Sequence, residues 1–313
     1  MEMENEIYDT IIVGGASAGL VAGIYLARKK AKVAIVTKKV GGQSLMTDTI
    51  ENFPGFESIS GFELIEKIRK QAKLFGTQIK ENRFAKKITK NNDNIFEVQV
   101  SRNGEDETMF AKTVIIATGK NPRHLGVPGE KEFENKGVSF CTTCDAPLYQ
   151  GKTVAVIGGG NSGLSSAYDL TKYADKIYLL ERSDAGKGDV VVREKLMNDG
   201  KVEFLTNVEV KEIKGEKFLE KIIYLDKKIG EEKELAVGGM FINIGWIPAT
   251  KFLEGFVKLN EYGEVIVNSK TMETSVSGVF SAGDVNDGLY KQCIIAAGEG
   301  AVAALSAYDY MMR

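Results

Sequence analysis

Residues 153–181 read TVAVIGGGNSGLSSAYDLTKYADKIYLLE, two apolar, β-rich runs separated by a glycine-rich turn and a segment with helical periodicity. This pattern predicts a βαβ unit. The turn contains a complete G-x-G-x-x-G motif at Gly158, Gly160 and Gly163. Because the N–H groups of such a turn and the helix N-terminus behind it favour a bound phosphate, the motif predicts a dinucleotide-binding domain.

The second strand of this unit ends at Glu181, 23 residues after Gly158. An acidic residue about 20 residues after the motif binds the ribose 2′-hydroxyl of NAD in such units. A carboxylate there would repel a 2′-phosphate, so Glu181 favours NADH over NADPH. Two alternatives stay open: Glu181 is a solvated charge at a strand end, or Arg182 and Lys187 hold a phosphate instead.

The same layout opens the chain at residues 8–37, YDTIIVGGASAGLVAGIYLARKKAKVAIVT. Its motif is Gly14, Ala16 and Gly19, so an alanine stands where the second glycine lets the backbone approach the phosphates. A tight turn in a nucleotide-free α/β domain is the alternative. The second strand ends at Thr37 without an acidic residue, so we expect the two turns to bind different dinucleotides.

Length and charge limit the remaining possibilities. A chain of 313 residues has room for about two domains. A formal net charge of −2 argues against binding to nucleic acid or to a membrane surface. The longest apolar runs fall short of a spanning helix, and the acidic start MEMENEIYD is unlike an export signal. We therefore expect a protein of the reducing cytoplasm, where a catalytic disulfide is more plausible than a structural one.

The segment FCTTCDAP, residues 140–147, places Cys141 and Cys144 in a CxxC pair between the two glycine turns. The only histidine is His124 and the only other cysteine is Cys293, which makes a zinc site improbable, so no metal is expected. A redox CxxC between two dinucleotide sites indicates that electrons pass from a nicotinamide through a flavin to a disulfide.

At this point the chain resembles a known family. The segments GGQ, ENFPGF, VIIATG, CTTCD, GGGNSG, VFSAGDV and YKQ occur in the order of the low-molecular-weight thioredoxin reductases, which are class II pyridine nucleotide-disulfide oxidoreductases. From Gly151 onward the chain is also similar to the flavoprotein subunit of alkyl hydroperoxide reductase, through LLE, GMFINIG and YKQCIIAAGEGAVAALSAYDY. That subunit carries a thioredoxin-like N-terminal extension, whereas this sequence starts at the first strand. The expected acceptor is therefore a separate thioredoxin- or glutaredoxin-like protein.

The resemblance implies an α/β fold with two Rossmann-like, three-layer ββα dinucleotide-binding domains, the second inserted into the first. The FAD-binding domain would comprise residues 1–119 and 248–313. The NAD(P)H-binding domain, residues 120–247, would carry the CxxC pair. The linkers around 118–121 and 245–249 would act as a hinge on which the inserted domain rotates. Relatives are usually homodimers, so a homodimer is expected.

The resemblance also assigns roles in the thiol chemistry. Cys141 would attack the disulfide of the carrier protein, and Cys144 would lie against the flavin and accept its electrons. Asp145 would transfer the thiol protons, with a turn or helix cap as its alternative role. Cys293 adjoins an apolar helix and is predicted to be a buried structural thiol rather than a third redox centre. Trp246 is expected in the hinge and His124 in a surface loop.

Two sets of cofactor-binding residues follow from the resemblance and the two turns. The NADH set is Gly158, Gly160, Asn161, Ser162, Gly163, Glu181 and Arg182. The FAD set is Gly14, Gly15, Ala16, Ser17, Ala18, Gly19, Gly42, Gln43, Asn52, Ala117, Thr118, Gly119, Gly283, Asp284, Lys291, Gln292 and Cys293.

The electron donor is where this chain departs from the family pattern. Members commonly read His-Arg-Arg where this chain has Glu181, Arg182 and Ser183. The predicted enzyme is thus an NADH-preferring, FAD-dependent thioredoxin-disulfide reductase. NADPH, ferredoxin or another non-nicotinamide donor is the alternative. A different class, a flavin redox sensor with low turnover, is the second alternative.

Overall fold

In the computed structural model the described residues are 6–46 and 50–313. Residues 1–5 and 47–49, which fall in the predicted FAD-binding domain, lie outside them. The chain divides into two compact units, Met1–Asn121 with Ile247–Arg313 and Pro122–Trp246, so the second is inserted into the first. The prediction of an α/β fold with one unit inserted into the other is confirmed.

The strands and helices are numbered in chain order. The strands are β1 (Ile7–Val13), β2 (Val33–Val36), β3 (Gln78–Lys80), β4 (Phe84–Lys90), β5 (Phe96–Arg102), β6 (Glu105–Ile116), β7 (Lys120–Pro122), β8 (Val138–Ser139), β9 (Thr153–Ile157), β10 (Lys176–Glu181), β11 (Val202–Thr206), β12 (Val208–Gly215), β13 (Leu219–Asp226), β14 (Glu231–Ala236), β15 (Gly239–Ile242), β16 (Trp246–Pro248) and β17 (Val279–Ser281). The helices are α1 (Ser17–Arg28), α2 (Gly61–Leu74), α3 (Thr142–Asp145), α4 (Asn161–Leu170), α5 (Val190–Met197) and α6 (Cys293–Met311), with 3-10 turns at Gly42–Met46, Ala146–Tyr149 and Lys251–Leu253.

The first unit is built on a sheet of order β3-β2-β1-β6-β5-β4, with β17 also paired to β6. β1 is parallel to β2 and β6, whereas β4, β5 and β6 form an antiparallel meander. One face of the sheet packs on α1, α2 and α6 through residues such as Ile12, Ile35 and Leu20. The other face of the sheet has a second core cluster, which includes Phe96 of β5 and Leu253 of the 3-10 turn Lys251–Leu253. The buried, β-branched character of the central strands explains this three-layer arrangement.

Helices α1 and α6 approach closely at the edge of the first glycine turn. A Cβ at Gly300 would lie 2.2 Å from the carbonyl oxygen of Ala18, so the helix pair depends on a glycine there. The close approach brings the N-terminal turns of both helices to the carboxyl ends of β1 and β6, where ligands bind in open α/β sheets.

The second unit also combines parallel and antiparallel strands, and its main sheet is smaller. Its parallel sheet has the order β11-β10-β9-β15-β8, and a separate antiparallel sheet comprises β12, β13 and β14. Val154, Val156, Leu164 and Phe241 belong to the core between the sheet and its helices. The boundaries of the units fall within β7 and β16, which pair with each other. Among residues 6–46 and 50–313, no helix combines the length and apolarity that a membrane crossing needs.

Candidate functional site: two glycine turns and a cysteine pair

The first glycine turn joins β1 to α1 and leaves no room for side chains at its ends. Gly14 has a φ of +118°, and a Cβ on it would lie 2.1 Å from the carbonyl oxygen of Ala117. A Cβ on Gly19 would lie 1.9 Å from the carbonyl oxygen of Gly14. The turn is therefore possible only with glycine at these two positions.

The second turn, between β9 and α4, has the same geometry. Gly158 has a φ of +111°, and its Cβ would lie 2.5 Å from the carbonyl oxygen of Asn243. A Cβ on Gly163 would meet the carbonyl oxygen of Gly158 at 1.7 Å. At Gly160, by contrast, a Cβ would meet nothing within 4 Å. The protein itself does not require a glycine at 160, whereas a phosphate lying against the turn would.

Both turns leave their helix N-termini open to a ligand. Ala16 caps α1 and Gly160 caps α4, both with extended backbone, and neither end has a side-chain capping bond among the described residues. The first N–H groups of a helix need partners, and a phosphate at this position supplies them. The residues present therefore fit a dinucleotide pyrophosphate at each turn.

The predicted departure at Ala16 is accommodated by a second glycine. Ala16 has a φ of −101°, which any residue adopts, and Gly42 lies so close that its own Cβ would be 3.1 Å from the Ala16 methyl. Gly42 thus provides the space for that methyl group, and the first turn keeps the backbone shape of the second.

A loop after the second strand covers each turn in the same way, which the sequence interpretation missed. The Gly41 N–H donates to the carbonyl oxygen of Gly15 at 2.9 Å, and the Gly188 N–H donates to that of Gly159 at 2.9 Å. A Cβ on Gly188 would lie 2.5 Å from Leu164 Cδ1. The G-x-G spacing in AGKGD was the available signal for this loop.

The side chain at the end of the second strand distinguishes the two turns. In the second unit Glu181 accepts hydrogen bonds from Gly159 N–H at 2.6 Å and from the Ser183 N–H and hydroxyl at 2.8 and 2.7 Å. Burial raises the pKa of Glu181, but these hydrogen bonds outweigh it and hold the pKa below its usual value. In the first unit the equivalent Thr37 donates its hydroxyl to the Lys39 carbonyl oxygen at 2.8 Å. A fixed carboxylate is therefore present at one turn and replaced by a hydroxyl at the other.

Within residues 6–46 and 50–313, the basic side chains near Glu181 do not come together to form a phosphate-binding site. Arg182 is exposed, with its Nε 3.5 Å from Glu209 Oε2. Lys187 is exposed as well. Glu209 also pairs with Lys211 and Lys227, and these lysines with Arg182 lower the pKa of Glu209 to about 2. Arg182 is thus engaged with an acidic residue of β12.

Cys141 and Cys144 form a disulfide with a Cα–Cα distance of 5.4 Å, and both are half-buried. Ser139 organises the segment around them. Its hydroxyl accepts from the Cys141 N–H at 3.1 Å and donates to the Asp145 carboxylate at 2.6 Å. Asp145 is thereby held in the same turn as the two sulfurs, as an acid–base role requires.

One polar contact and one shifted pKa in this segment were not predicted. The Thr142 and Ser166 hydroxyls lie 2.8 Å apart and join α3 to α4 in the buried interior. Burial, together with the charge of Asp145, raises the pKa of Tyr149 to about 12. The disulfide thus lies on a short helix attached directly to the helix that starts at the second glycine turn.

The polar residues predicted to contact the flavin converge in the first unit. Gln43 Nε2 donates to the Lys120 carbonyl oxygen at 2.5 Å, and Asn52 Nδ2 donates to Gln292 Oε1 at 3.2 Å. The half-buried carboxylate of Asp284 has no hydrogen bond to any described residue, and burial raises its pKa. It follows Gly283, where a Cβ would lie 3.1 Å from that of Ala18. The Asp284 carboxylate therefore lies near the N-terminus of α1 and can accept a hydrogen bond from a hydroxyl of a bound nucleotide.

The prediction of a buried Cys293 was wrong. The residue starts α6, as expected from its apolar neighbours, but it is only half-buried because it lies at the open edge beside the first turn. Its sulfur is 2.8 Å from the Ser17 hydroxyl and 3.8 Å from that of Ser44.

His124 is exposed in a loop, as predicted, with its ring edge-on to Phe140. Trp246 begins β16, at the unit boundary, and is 36% exposed.

These features together define a protein with two dinucleotide-binding domains and one redox-type cysteine pair. Over residues 8–300 the chain matches the family described as pyridine nucleotide-disulphide oxidoreductase, and it belongs to that family. The resemblance inferred from the motifs is confirmed, and so are the two Rossmann-like dinucleotide-binding domains.

Curated relatives cover almost the whole of this chain. It is 41% identical over 310 residues to an NADH dehydrogenase of Bacillus subtilis, covering 99% of this chain and 60% of the relative. It is 40% identical over 311 residues to a subunit of the alkyl hydroperoxide reductase of Pseudomonas aeruginosa, covering 98% of this chain and 59% of the relative. The chain therefore spans about three fifths of the length of these relatives.

Among solved structures, two thioredoxin reductases match the fold over almost the whole chain. The enzyme of Streptococcus pyogenes superposes with a TM-score of 0.90 at 34% identity, covering 99% of both chains. The enzyme of Giardia duodenalis superposes with a TM-score of 0.90 at 34% identity, covering 99% of this chain and 100% of the other.

Proposed function

We propose that this protein is an FAD-dependent disulfide reductase. It would pass electrons from NADH to the Cys141–Cys144 disulfide and then to a separate thioredoxin- or glutaredoxin-like protein. The observation that carries the proposal is the disulfide with Asp145 held beside it through Ser139, in the same unit as a complete dinucleotide turn. The thioredoxin reductase likeness over the full chain supports the same class.

In this proposal FAD binds the unit that contains the first turn, and the nicotinamide binds the inserted unit. The assigned bounds, 1–119 with 248–313 and 120–247, follow the resemblance. FAD, once bound, supplies a two-electron carrier between nicotinamide and disulfide. Gly14 to Gly19 would hold its pyrophosphate and Asp284 a nucleotide hydroxyl, while Gln43, Asn52 and Gln292 would lie at its ring.

The thiol chemistry is completed by the chain's own residues. Two electrons and two protons convert the Cys141–Cys144 disulfide into two thiols. The Cys141 thiolate attacks one sulfur of the carrier disulfide and forms an S–S bond to it. The disulfide bond of the carrier breaks, and the other carrier sulfur leaves as a thiolate. Cys144 then attacks Cys141, which restores the disulfide and releases the carrier with both sulfurs reduced. Asp145 would accept and return the thiol protons.

Donor choice in this proposal rests on Glu181. Its carboxylate is already oriented by Gly159 and Ser183, and it would accept a hydrogen bond from a ribose 2′-hydroxyl and repel a 2′-phosphate. The name NADH dehydrogenase of the Bacillus subtilis relative is consistent with the same donor. NADPH or a ferredoxin-like donor is the competing assignment.

The first test is anaerobic flavin reduction in the purified holoprotein, with NADH and NADPH measured side by side. Rapid loss of flavin absorbance with NADH alone would support the assignment. Slow reduction by both would reject a nicotinamide donor and direct attention to ferredoxin.

Turnover is then measured with an oxidised thioredoxin-fold protein. Cys141→Ser should keep the reaction with NADH and lose turnover, and a variant that still reduces the carrier would exclude the proposed thiol chemistry.

A further inference from the structure

A half-buried group of charges in the first unit centres on Glu264, a residue that belongs to none of the motifs. Glu264 and Lys120 form an ion pair in which each side chain is 13% exposed. Lys291 Nζ lies 3.8 Å from the same Glu264 oxygen, Oε1. The other oxygen of Glu264 accepts from Asn260 Nδ2 at 2.6 Å. One carboxylate is therefore shared between two ammonium groups and is held by a third donor.

This carboxylate is largely but not fully shielded from water, since 13% of its side chain is exposed. Exposed ion pairs contribute little, whereas removal of one partner from a buried pair leaves a charge without compensation. Burial, and next the charge of Lys120, lowers the pKa of Lys291. The two lysines therefore repel each other, and Glu264 is the carboxylate that contacts both of their ammonium groups.

The same group of charges is joined to residues predicted to contact the flavin. Gln43 donates to the carbonyl oxygen of Lys120. Lys291 donates to the carbonyl oxygen of Asn286 and precedes Gln292, which binds Asn52. The remaining charged groups that act on Lys291 are Asp284 and Glu299. Glu299 accepts from Asn286 Nδ2 and from Gly283 N–H, each at 2.7 Å.

We propose that Glu264 is a positioning residue for the bound flavin: it holds the ammonium groups of Lys120 and Lys291 at the flavin side and neutralises one of their two charges. This inference rests on the proposed binding of FAD to the same unit. It assigns to Glu264 a part in setting how readily the flavin accepts electrons, because an added positive charge near a redox group favours its reduced form.

The test is the midpoint potential of bound FAD, measured by equilibration with a reference dye under anaerobic conditions. Glu264→Gln removes the negative charge but keeps the size of the side chain, and should shift the potential to a more positive value. Lys120→Met removes a positive charge and should shift it to a more negative value. The double variant should return close to the wild-type potential. Glu261→Gln, an exposed residue in the same loop, should leave it unchanged.

A residue that acts only through structure gives a different pattern. Shifts of Glu264→Gln and Lys120→Met in the same direction, or no shift in either, would overturn the inference. If Glu264→Gln fails to fold, as judged by circular dichroism, Lys120→Met and Lys291→Met alone must both shift the potential to more negative values. Purified wild-type protein without any bound flavin would instead refute the proposed function, so the two failures can be told apart.

Discussion

The two glycine turns of this chain share a backbone and differ in their side chains. In both, the first glycine has a φ near +115° and the last packs against the carbonyl oxygen of the first, with φ values of +118° at Gly14 and +111° at Gly158. In both, a glycine from the loop beyond the second strand donates to the turn. Two of the differences are Ala16 against Gly160 and Thr37 against Glu181. The shared backbone fits a pyrophosphate at each turn, and we expect the differing side chains to decide which nucleotide each turn binds.

The glycines in the first turn of α1 and of α4 offer the most severe way to break this comparison. Gly19→Ala and Gly163→Ala each place a Cβ within 2 Å of a carbonyl oxygen, at 1.9 and 1.7 Å. Overpacking of this kind costs about 1–3 kcal/mol or more, so the affinity of each turn for its nucleotide should fall about 100-fold. Gly19→Ala should lose FAD, measured by flavin absorbance per protein. Gly163→Ala should keep FAD and lose rapid reduction by NADH.

The control for this pair is Gly298→Ala in α6, where a Cβ would meet nothing within 4 Å. Both nucleotide functions should persist in that variant. Retention of tightly bound FAD by Gly19→Ala would show that the first turn does not hold the cofactor. Loss of flavin from Gly163→Ala would show that the two turns cannot be separated.

A reciprocal exchange at the middle position of each motif should have a smaller effect. Gly160→Ala adds a methyl that meets no protein atom, so stability should be unchanged while a bound phosphate is pushed away. We expect the apparent affinity for NADH to fall roughly tenfold, equal to about 1.4 kcal/mol. Ala16→Gly removes the methyl that lies beside Gly42 and should leave FAD binding within a few-fold of wild type.

The measurements for the exchange are the NADH concentration dependence of flavin reduction and the melting temperature. A fall in melting temperature of Gly160→Ala that matches the loss of affinity would indicate a structural cause. A large loss of FAD in Ala16→Gly would mean that the alanine methyl contributes to cofactor binding rather than being accommodated.

Glu181, at the end of the second strand, allows a further test of the comparison through the preference for NADH over NADPH. Glu181→Gln removes the charge that would face a 2′-phosphate, and the ratio of kcat/KM for NADH to that for NADPH should fall by about tenfold. Glu203→Gln is the matched control, since Glu203 is an exposed acid on the neighbouring strand β11 whose Oε2 lies 3.0 Å from Lys176 Nζ. An unchanged ratio in Glu181→Gln would assign donor preference to another part of the chain.

Much of this arrangement is visible in the sequence because it depends on local pattern. The βαβ units, the CxxC pair and the glycines of both turns follow from short motifs that admit few other residues. The insertion of one domain into the other required the family resemblance, since no local signal marks a chain that leaves a domain and returns. Ser139, Gly188 and Glu264 escaped prediction because their roles come from contacts between residues distant in sequence or from hydroxyl geometry within a turn. The half-buried position of Cys293 escaped for a similar reason, because apolar neighbours do not reveal the edge of an open site.

The smallest expected effect is a pH dependence confined to the second turn. The pKa of Glu181 is held below its usual value by Ser183 and Gly159 despite burial, so the ionised form stabilises the folded state. This contribution is fully present above the unfolded pKa of about 4.3 and is lost as pH falls through the lower folded pKa. Urea unfolding of wild type and Glu181→Gln should therefore differ by under ~1 kcal/mol at pH 6 and converge as pH falls through the lowered pKa of the folded state.

The first turn supplies the internal contrast for this measurement. Thr37 occupies the corresponding position and has no charge to lose, so Thr37→Val should change the unfolding free energy by the same amount at every pH of the series. A difference between wild type and Glu181→Gln that is equally independent of pH would mean that the carboxylate acts there only as a hydrogen-bond acceptor. Convergence at low pH, seen only for the second turn, would show that one copy of a shared backbone design has come to depend on an ionised side chain and the other has not.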